Sequence, residues 1–163
     1  RGTVSGRVDT LIGSDNLVMA YAHIAHDCVI GSHCILANYA GLAGHVEIDD
    51  WVILGGYAGV HQFCKVGSHA FFANNATTTR DVPPYVLVAE APAVPKGINL
   101  EGLKRRGFSS EDLSAIKEAY RLLYRSQLTL NEATEQLVAL AKTAPAVQLM
   151  VDFLPRVTRS LVR

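Results

Sequence analysis

The chain has 163 residues, and its fifteen Lys and Arg balance its fifteen Asp and Glu to a formal net charge of zero. This balance argues against a strongly basic nucleic-acid-binding protein. Hydrophobic residues make up 49% and charged residues only 18%, which excludes a disordered chain. The longest charge-free stretch, residues 28–46, is interrupted by glycines and polar residues, so no membrane span is expected.

The chain opens Arg-Gly-Thr, without an initiator methionine or an apolar leader, so we expect it to be a fragment of a longer protein. Its three cysteines form no Cys-x-x-Cys pair, and an odd number is typical of a reducing compartment such as the cytoplasm. Charge is unevenly distributed: residues 12–79 carry one basic and five acidic residues, whereas residues 80–163 carry twelve and nine. Two differently built regions therefore meet near Arg80.

A repeat of six residues runs through the first region, starting at Ile12. Ten of its eleven leading residues are aliphatic and the last is Phe72, while the fifth position is small or β-branched in nearly every hexapeptide, all three cysteines included. This pattern predicts a parallel β-helix of 18-residue coils, with leading residues inside and fifth residues at the corners. Gly or Ala at the second position is expected to make the sharp turns. A sandwich of period-two strands would not hold a period of six for so long.

The residues before the repeat, 4–11, do not hold this frame and are expected to form a loop that leaves the coil. A solenoid cut at its first coil would expose an unpaired β edge, so we expect further coils upstream. After the repeat, Asp81-Val-Pro-Pro-Tyr85 is expected to end it, because prolines cannot donate to a β ladder. Pro92 and Pro95 then indicate an extended connection over residues 81–99, between a β-helix at 1–80 and a helical domain at 100–163.

Capping patterns predict the helices of the last region. Ser109 to Asp112 and Thr129 to Glu132 resemble capping boxes, and each precedes an apolar stripe at helical spacing. A third helix is expected to begin near Pro145, and Pro155 is expected to kink or end it.

Candidate chemistry concentrates on the wall of the β-helix, where residues 18 apart stack at about 4.8 Å. A histidine beside an aspartate, with a glycine N–H and further polar side chains above, forms a workable general-base site with an oxyanion donor. The register places these residues on one patch: His26, Asp27, Gly44, His45, His61 and Gln62, with His23 half a hexapeptide earlier.

Other interpretations of the histidines stay open at this stage. A histidine on a solenoid wall is often only solvated, and we expect this of His33 and His69. A three-histidine zinc site is a second alternative. It is disfavoured because His61 lacks the second histidine that a zinc-binding solenoid places nearby, and residue 66 is Val.

Basic residues mark the helical region. Lys117, Arg121 and Arg125 are spaced by four and share one helix face, with Lys104-Arg-Arg106 upstream. This stripe is either a solvated helix face or a docking surface for an acidic partner or a phosphate. Nucleic acid is disfavoured, since the total charge is neutral.

Five segments resemble the acyl-[acyl-carrier-protein]–UDP-N-acetylglucosamine O-acyltransferase family, whose members catalyse the first step of lipid A synthesis in Gram-negative bacteria. The likeness covers the whole chain, and the last segment is the most discriminating because it lies outside the hexapeptide pattern. The segments are Ala22-His-Ile-Ala-His-Asp-Cys28, Leu42-Ala-Gly-His45, Val60-His-Gln-Phe-Cys64, Asp81-Val-Pro-Pro-Tyr85 and Gly102-Leu-Lys-Arg-Arg-Gly-Phe-Ser109.

The resemblance implies a cytoplasmic homotrimer of left-handed parallel β-helices with active sites between subunits and with no metal or redox cofactor. It implies transfer of a 3-hydroxyacyl chain from acyl carrier protein to the 3-hydroxyl of UDP-N-acetylglucosamine. Two alternatives stay open: the related N-acyltransferase of the same pathway, which is not expected to carry this helical tail, and a non-catalytic trimeric scaffold.

Residue roles follow from the same resemblance. His26 matches the general base, Asp27 the carboxylate that orients it, and Gly44 the oxyanion N–H donor. Asn74 matches the residue that measures the acyl chain; some members have Gly there, so a shorter chain is expected. An upstream acidic residue that contacts the sugar in the family lies outside this sequence. The remaining residues match binding residues of the family. Those that match contacts to the sugar are His23 and Gln62, with His45 beside the sugar and acyl chain and His61 on the nucleotide side. Those that match contacts to the nucleotide and its phosphates are Asn99, Glu101, Arg105 and Arg106, and those that match the surface for the carrier protein are Lys117 and Arg121.

Overall fold

Two-residue strands recur every six residues and stack into three parallel sheets in a computed structural model that describes residues 2–163. Every parallel pairing between two of these two-residue strands joins residues 18 apart, as in Leu17 with Ile35 and His23 with Gly41. With the match to solved relatives, this confirms the predicted left-handed parallel β-helix. The strands are β1 (Leu11–Ile12), β2 (Leu17–Val18), β3 (His23–Ile24), β4 (Val29–Ile30), β5 (Ile35–Leu36), β6 (Gly41–Leu42), β7 (Glu47–Ile48), β8 (Ile53–Leu54), β9 (Gly59–Val60), β10 (Lys65–Val66), β11 (Phe71–Phe72) and β12 (Thr77–Thr78).

The core of the β-helix is built from the first and fifth positions of the hexapeptides. Leading residues from Ile30 to Phe72 and fifth residues from Cys28 to Ala76 are all buried. Cys28, Cys34 and Cys64 are among them, and burial raises the pKa of each thiol, which fits their packing as small apolar side chains. Ile12 and Val18, in the first described coil, are about half exposed.

The corners differ from the prediction, because the sharp turns are made at the fourth position and not at the second. Eleven successive fourth-position residues, from Asp15 to Asn75, have φ between 59° and 65°. Second-position glycines are instead required by close packing between coils, since a Cβ on Gly55 would lie 2.6 Å from the carbonyl oxygen of Phe72. The left-handed backbone costs a non-glycine residue on the order of 1 kcal/mol, so the surrounding ladder must hold each corner in place.

Parallel stacking continues beyond Arg80, but there the paired residues are 16 apart and no longer 18, as in Phe71 with Leu87. The six-residue repeat therefore ends near the diproline segment, whereas the β-helix does not. Val82 accepts a hydrogen bond from Gly67 N–H at 2.8 Å and donates one to Lys65 at 2.9 Å. The prolines follow at positions 83 and 84, and β13 (Val86–Ala89) then pairs in parallel with β11. A last strand, β14 (Val94–Ile98), runs antiparallel to β13, so much of the expected extended connection is sheet.

Four α-helices follow: α1 (Leu100–Arg105), α2 (Ser110–Tyr124), α3 (Leu130–Ala141) and α4 (Gln148–Phe153). The Ser109 hydroxyl accepts the Asp112 N–H, and Thr129 forms a reciprocal capping box with Glu132, as the sequence predicts. Pro145 opens a 3₁₀ turn before α4, and Pro155 lies in the 3₁₀ turn that follows it. None of the helices in the described part of the chain has the length and apolarity required to cross a membrane.

Asp81 fastens the C-terminal segment to the end of the β-helix. Its fully buried carboxylate accepts N–H groups from Lys65 at 2.7 Å, Thr158 at 2.8 Å and Arg159 at 3.1 Å. Because two of these donors lie more than 75 residues away in sequence, one side chain joins the solenoid to the chain's last segment.

Candidate active site

An imidazole–carboxylate pair stands at the corner between β3 and β4. His26 Nδ1 lies 2.8 Å from Asp27 Oδ2; the carboxylate is fully buried, whereas the imidazole is 41% exposed. Burial by itself would raise the pKa of Asp27, but hydrogen bonds from His26 and Thr3 outweigh it and lower this pKa to about 2. An ionised carboxylate can only accept, so Nδ1 of neutral His26 carries the proton and Nε2 is free to take one.

Gly44 lies one coil above His26 and contacts the ring. A Cβ at this position would lie 2.5 Å from His26 Cε1 and 2.7 Å from Nε2, so only glycine leaves room for the imidazole. Within residues 2–163 the Gly44 N–H has no hydrogen-bond partner. The residue that packs against the imidazole thus carries an unpaired backbone donor, which an oxyanion site requires.

His45 completes the group from the neighbouring column. Its Nε2 lies 3.7 Å from Asp27 Oδ2, and its ring stacks on Phe63 with centroids 4.6 Å apart. His26, Asp27 and His45 bring three metal-ligating atoms within 4.8 Å of one another. Asp27 Oδ2 already accepts from His26 and from the Thr3 hydroxyl, which is the geometry of a proton-transfer pair. His61, on which the zinc alternative depended, is not part of this group.

Sequence reasoning missed the residues that surround Asp27 from outside the repeat. Thr3 reaches the carboxylate from the N-terminal loop, and Arg159 comes from the C-terminal segment to lie over the Phe63 ring at 5.4 Å. No local pattern marks either residue, because both contacts are made across the fold. Beside Asp27 is a cavity of about 550 Å³, and Arg159 contributes to its wall. The lining residues are Arg7, Asp27, Val29, His45, Glu47, Phe63, Lys65, Thr158 and Arg159.

His69 is not solvated, so that prediction is wrong. The residue is 8% exposed, its ring stacks between Trp51 and Tyr85, and Nδ1 lies 3.0 Å from the Arg106 guanidinium. Burial and the Arg106 charge lower the pKa of His69 to about 4, against a smaller opposing effect of Asp50. The imidazole therefore accepts from Arg106 as a neutral group at neutral pH. His33 is half-buried and stacks on Trp51 at 4.2 Å.

The segment expected to hold a nucleotide is folded against this stack. Asn99 is buried; its side chain accepts the Gly102 N–H to cap α1 and donates to the His69 carbonyl at 3.1 Å. Glu101 and Arg105 are exposed on α1, while Arg106 is half-buried with its guanidinium over Trp51 at 5.2 Å. Contacts of these residues to a nucleotide stay a prediction.

The remaining predicted residues are exposed, some near the corner that carries His26 and some away from it. His23 lies on β3, and His61 and Gln62 lie at the corner one coil above Gly44. Asn74 stands at the corner between β11 and β12, away from the corner that carries His26, so one chain does not bring these two together.

Lys117 and Arg121 are exposed on α2, where they border a groove of about 430 Å³. Arg125 and Tyr120 share this groove, so the spacing of four does place the three basic residues on one face. Arg121 also forms a two-point pair with Glu118, at 2.7 and 2.8 Å.

The repeat and the corner site define a hexapeptide-repeat β-helix protein. In agreement, the family model described as bacterial transferase hexapeptide (six repeats) matches residues 9–44. A second model, described as UDP N-acetylglucosamine O-acyltransferase, domain 2, matches residues 81–162. The chain belongs to the UDP-N-acetylglucosamine O-acyltransferase family.

Individual relatives agree with this membership. The chain is 53% identical over 162 residues to the acyl-[acyl-carrier-protein]–UDP-N-acetylglucosamine O-acyltransferase of Thiobacillus denitrificans, covering 99% of this chain and 63% of that relative. The solved UDP-N-acetylglucosamine acyltransferase of Francisella novicida superposes with a TM-score of 0.96 at 47% identity, over 99% of this chain and 59% of that one. For the Moraxella catarrhalis UDP-N-acetylglucosamine O-acyltransferase the TM-score is 0.97 at 43% identity, over 100% and 63%.

Proposed function

We propose that the full-length protein transfers a 3-hydroxyacyl chain from acyl carrier protein to the 3-hydroxyl of UDP-N-acetylglucosamine, in lipid A synthesis. The observation that carries this proposal is the His26–Asp27 contact of 2.8 Å, together with Gly44, which packs against the same ring and has an unpaired N–H within residues 2–163. The names of the relatives support the substrates, and the chain spans about 63% of the length of the curated relatives it matches.

The proposed reaction is a direct transfer. Nε2 of His26 takes the proton of the sugar 3-hydroxyl as its oxygen attacks the thioester carbonyl. The Gly44 N–H donates to the oxyanion of the tetrahedral intermediate, while ionised Asp27 stabilises the imidazolium. As the intermediate collapses, the carbon–sulfur bond breaks and the proton passes from His26 to the departing sulfur. No atom changes oxidation state, so the scheme requires no redox cofactor, and it assigns no step to a metal.

A homotrimer in the cytoplasm is part of the proposal. Asn74 and His26 stand at different corners of one β-helix, so an acyl chain that reaches both must run between neighbouring copies. This geometry supports sites shared between subunits. His23, His45 and Gln62 then border the sugar, with His61 on the nucleotide side.

The helical region supplies the proposed binding of charged partners. Lys117, Arg121 and Arg125 border one groove, and a basic groove complements an acidic acyl carrier protein. Glu101, Arg105 and Arg106 extend from or beside α1, where two guanidinium groups can meet phosphates. Arg106 would have to exchange its contact with His69 for such a ligand.

The test is thiol release from 3-hydroxyacyl carrier protein by the full-length protein, with and without UDP-N-acetylglucosamine. We expect release that depends on the sugar nucleotide and falls at least about 1,000-fold in His26→Ala, since a general base and its proton transfer are lost. His33→Ala, which changes a histidine outside the site, serves as the matched control and should retain activity.

Three results would contradict the proposal. Substantial activity in His26→Ala would show that His26 is not the general base. Acylation of the free amine of a UDP-3-O-acylglucosamine in preference to the hydroxyl would identify the N-acyltransferase. Absence of thiol release by the wild-type protein with any acyl chain would favour a scaffold.

A further inference from the structure

The loop that precedes the first coil closes over the buried carboxylate of Asp27. The Thr3 N–H lies 3.2 Å from Oδ1 and the Thr3 hydroxyl 2.9 Å from Oδ2, so one residue donates to both oxygens. The loop is closed on itself as well, with Thr3 N–H to the Arg7 carbonyl at 3.1 Å and Gly6 N–H to the Thr3 carbonyl at 3.3 Å. Thr3 is thus held in place by its own loop while it contacts Asp27.

Gly6 brings the backbone of this loop into direct contact with the site. A Cβ on Gly6 would lie 2.7 Å from Asp27 Oδ1, 2.7 Å from His45 Cε1 and 2.8 Å from the Thr3 hydroxyl oxygen. Only a residue without a side chain allows the backbone to pass so close to these three groups. Two separate features of the loop therefore bring it into contact with the Asp27 carboxylate: the two donors of Thr3 and the close approach of Gly6.

The contacts of Asp27 account for both of its oxygens. Oδ1 accepts from the Thr3 N–H, and Oδ2 accepts from the Thr3 hydroxyl and from His26 Nδ1. The other titratable and charged groups that face it are His45 at 3.7 Å and the residues across the adjoining cavity, Arg7, Glu47, Lys65 and Arg159. None of these four is hydrogen-bonded to Asp27 within residues 2–163, so the orientation of the carboxylate depends on Thr3 and His26.

We propose that Thr3 is a positioning residue: its two donors fix the plane of the Asp27 carboxylate, so that Oδ2 stays on Nδ1 of His26 and Nε2 stays free on the Gly44 side. Without the hydroxyl, Oδ2 loses one of its two donors, and the carboxylate can turn about its Cβ–Cγ bond. The consequence for turnover rests on the proposed function, whereas the consequence for the His26 tautomer does not.

The first measurement is the tautomer of His26 in full-length protein labelled with ¹⁵N-histidine, with its signals assigned by their loss in His26→Gln. We expect the Nδ1–H form in the wild type, a clear loss of that form in Thr3→Val, and its recovery in Thr3→Ser. Thr10→Val is the matched control, because the Thr10 hydroxyl of the same loop donates to the Ala25 carbonyl at 3.3 Å and not to Asp27.

The second measurement is the steady-state kinetics of the same variants. Thr3→Val should lower kcat roughly tenfold, the expected scale for one hydrogen bond to a charged group, with KM nearly unchanged. Thr3→Ser should restore most of the loss, and Thr10→Val should behave like the wild type.

The outcomes separate the two proposals. An unchanged His26 tautomer in Thr3→Val, or an equal change in Thr10→Val, would overturn the positioning role. If the wild-type protein released no thiol but the tautomer still depended on the Thr3 hydroxyl, the proposed function would fail and the positioning role would stand.

Discussion

Asp27 Oδ2 lies 2.8 Å from His26 Nδ1, and this contact decides which nitrogen of the imidazole is basic. The Asp27→Asn variant tests the consequence, since its amide can donate to Nδ1 and shift the ring proton to Nε2. We expect kcat to fall by at least about 100-fold, with KM changed little, because the wrong tautomer cannot act as a base. Steady-state kinetics of the full-length protein measure this, with Asp152→Asn on exposed α4 as the control. A variant that retained most of its kcat would show that the carboxylate does not orient the base.

Asn74 is held at its corner by a hydrogen bond from the Gly56 N–H to its Oδ1, at 2.9 Å. If the acyl chain ends at this residue, replacing it with glycine should lengthen the space available. We expect Asn74→Gly to shift preference towards longer 3-hydroxyacyl chains, measured by competition between carrier proteins loaded with different chain lengths. Asn75→Gly changes the next residue, whose φ of 63° suits glycine, and should leave the preference unchanged. A wild type that prefers the longest chain offered would contradict the assignment.

The Asp81 carboxylate accepts three backbone N–H groups in a fully buried position. Asp81→Ala leaves these donors without a partner, so the free energy of unfolding should fall by about 2–4 kcal/mol. Asp81→Asn keeps one acceptor oxygen and should lose less. Urea unfolding followed by circular dichroism measures both, with the exposed Asp152→Ala as the control. Equal stability of Asp81→Ala and the wild type would show that the C-terminal segment is held by other contacts.

His69 makes folding stability depend on pH, because burial and Arg106 lower its pKa to about 4 in the folded chain, from an ordinary value near 6.5. Between these values the unfolded chain binds a proton that the folded chain does not, so stability falls as pH decreases from 6.5 towards 4. The loss from this one group is at most about 3 kcal/mol. His69→Asn should flatten that part of the urea stability profile, whereas His33→Asn should not. Parallel profiles for His69→Asn and the wild type would contradict the lowered pKa.

The part of the site that the sequence predicts is the part that the 18-residue register controls. His26, Gly44 and Gln62, and likewise Asp27, His45 and Phe63, differ by one coil each, so counting alone places them in columns. The contacts made by Thr3 and Arg159 were not predictable this way, because each comes from an irregular segment whose path depends on the whole fold.

The same distinction explains the errors in the fold. Capping residues Ser109 and Thr129 act locally, so the helices they begin were predicted. The strand β13 was missed because two prolines precede it, and prolines indicate a break in any local pattern. Its pairing with β11 nevertheless requires no N–H group from these prolines. His69 was predicted to be solvated because the residues that bury it, Arg106 and Tyr85, lie in the sequence after the end of the repeat.

The fourth-position corners, with their left-handed backbone, separate the requirements of folding from those of chemistry. The first and fifth positions fill the core of the β-helix. The fourth-position side chains form three columns along its edges, and they can be substituted without repacking that core. One edge carries Asp27 and His45, a second carries the rings of Trp51 and His69, and a third carries the stacked rings of Tyr21, Tyr39 and Tyr57. Inserting or deleting one coil would move a functional side chain along its edge of the β-helix by about 4.8 Å without rotating it. The separation between two functional groups in such a protein is therefore set in whole steps, by the number of coils between them.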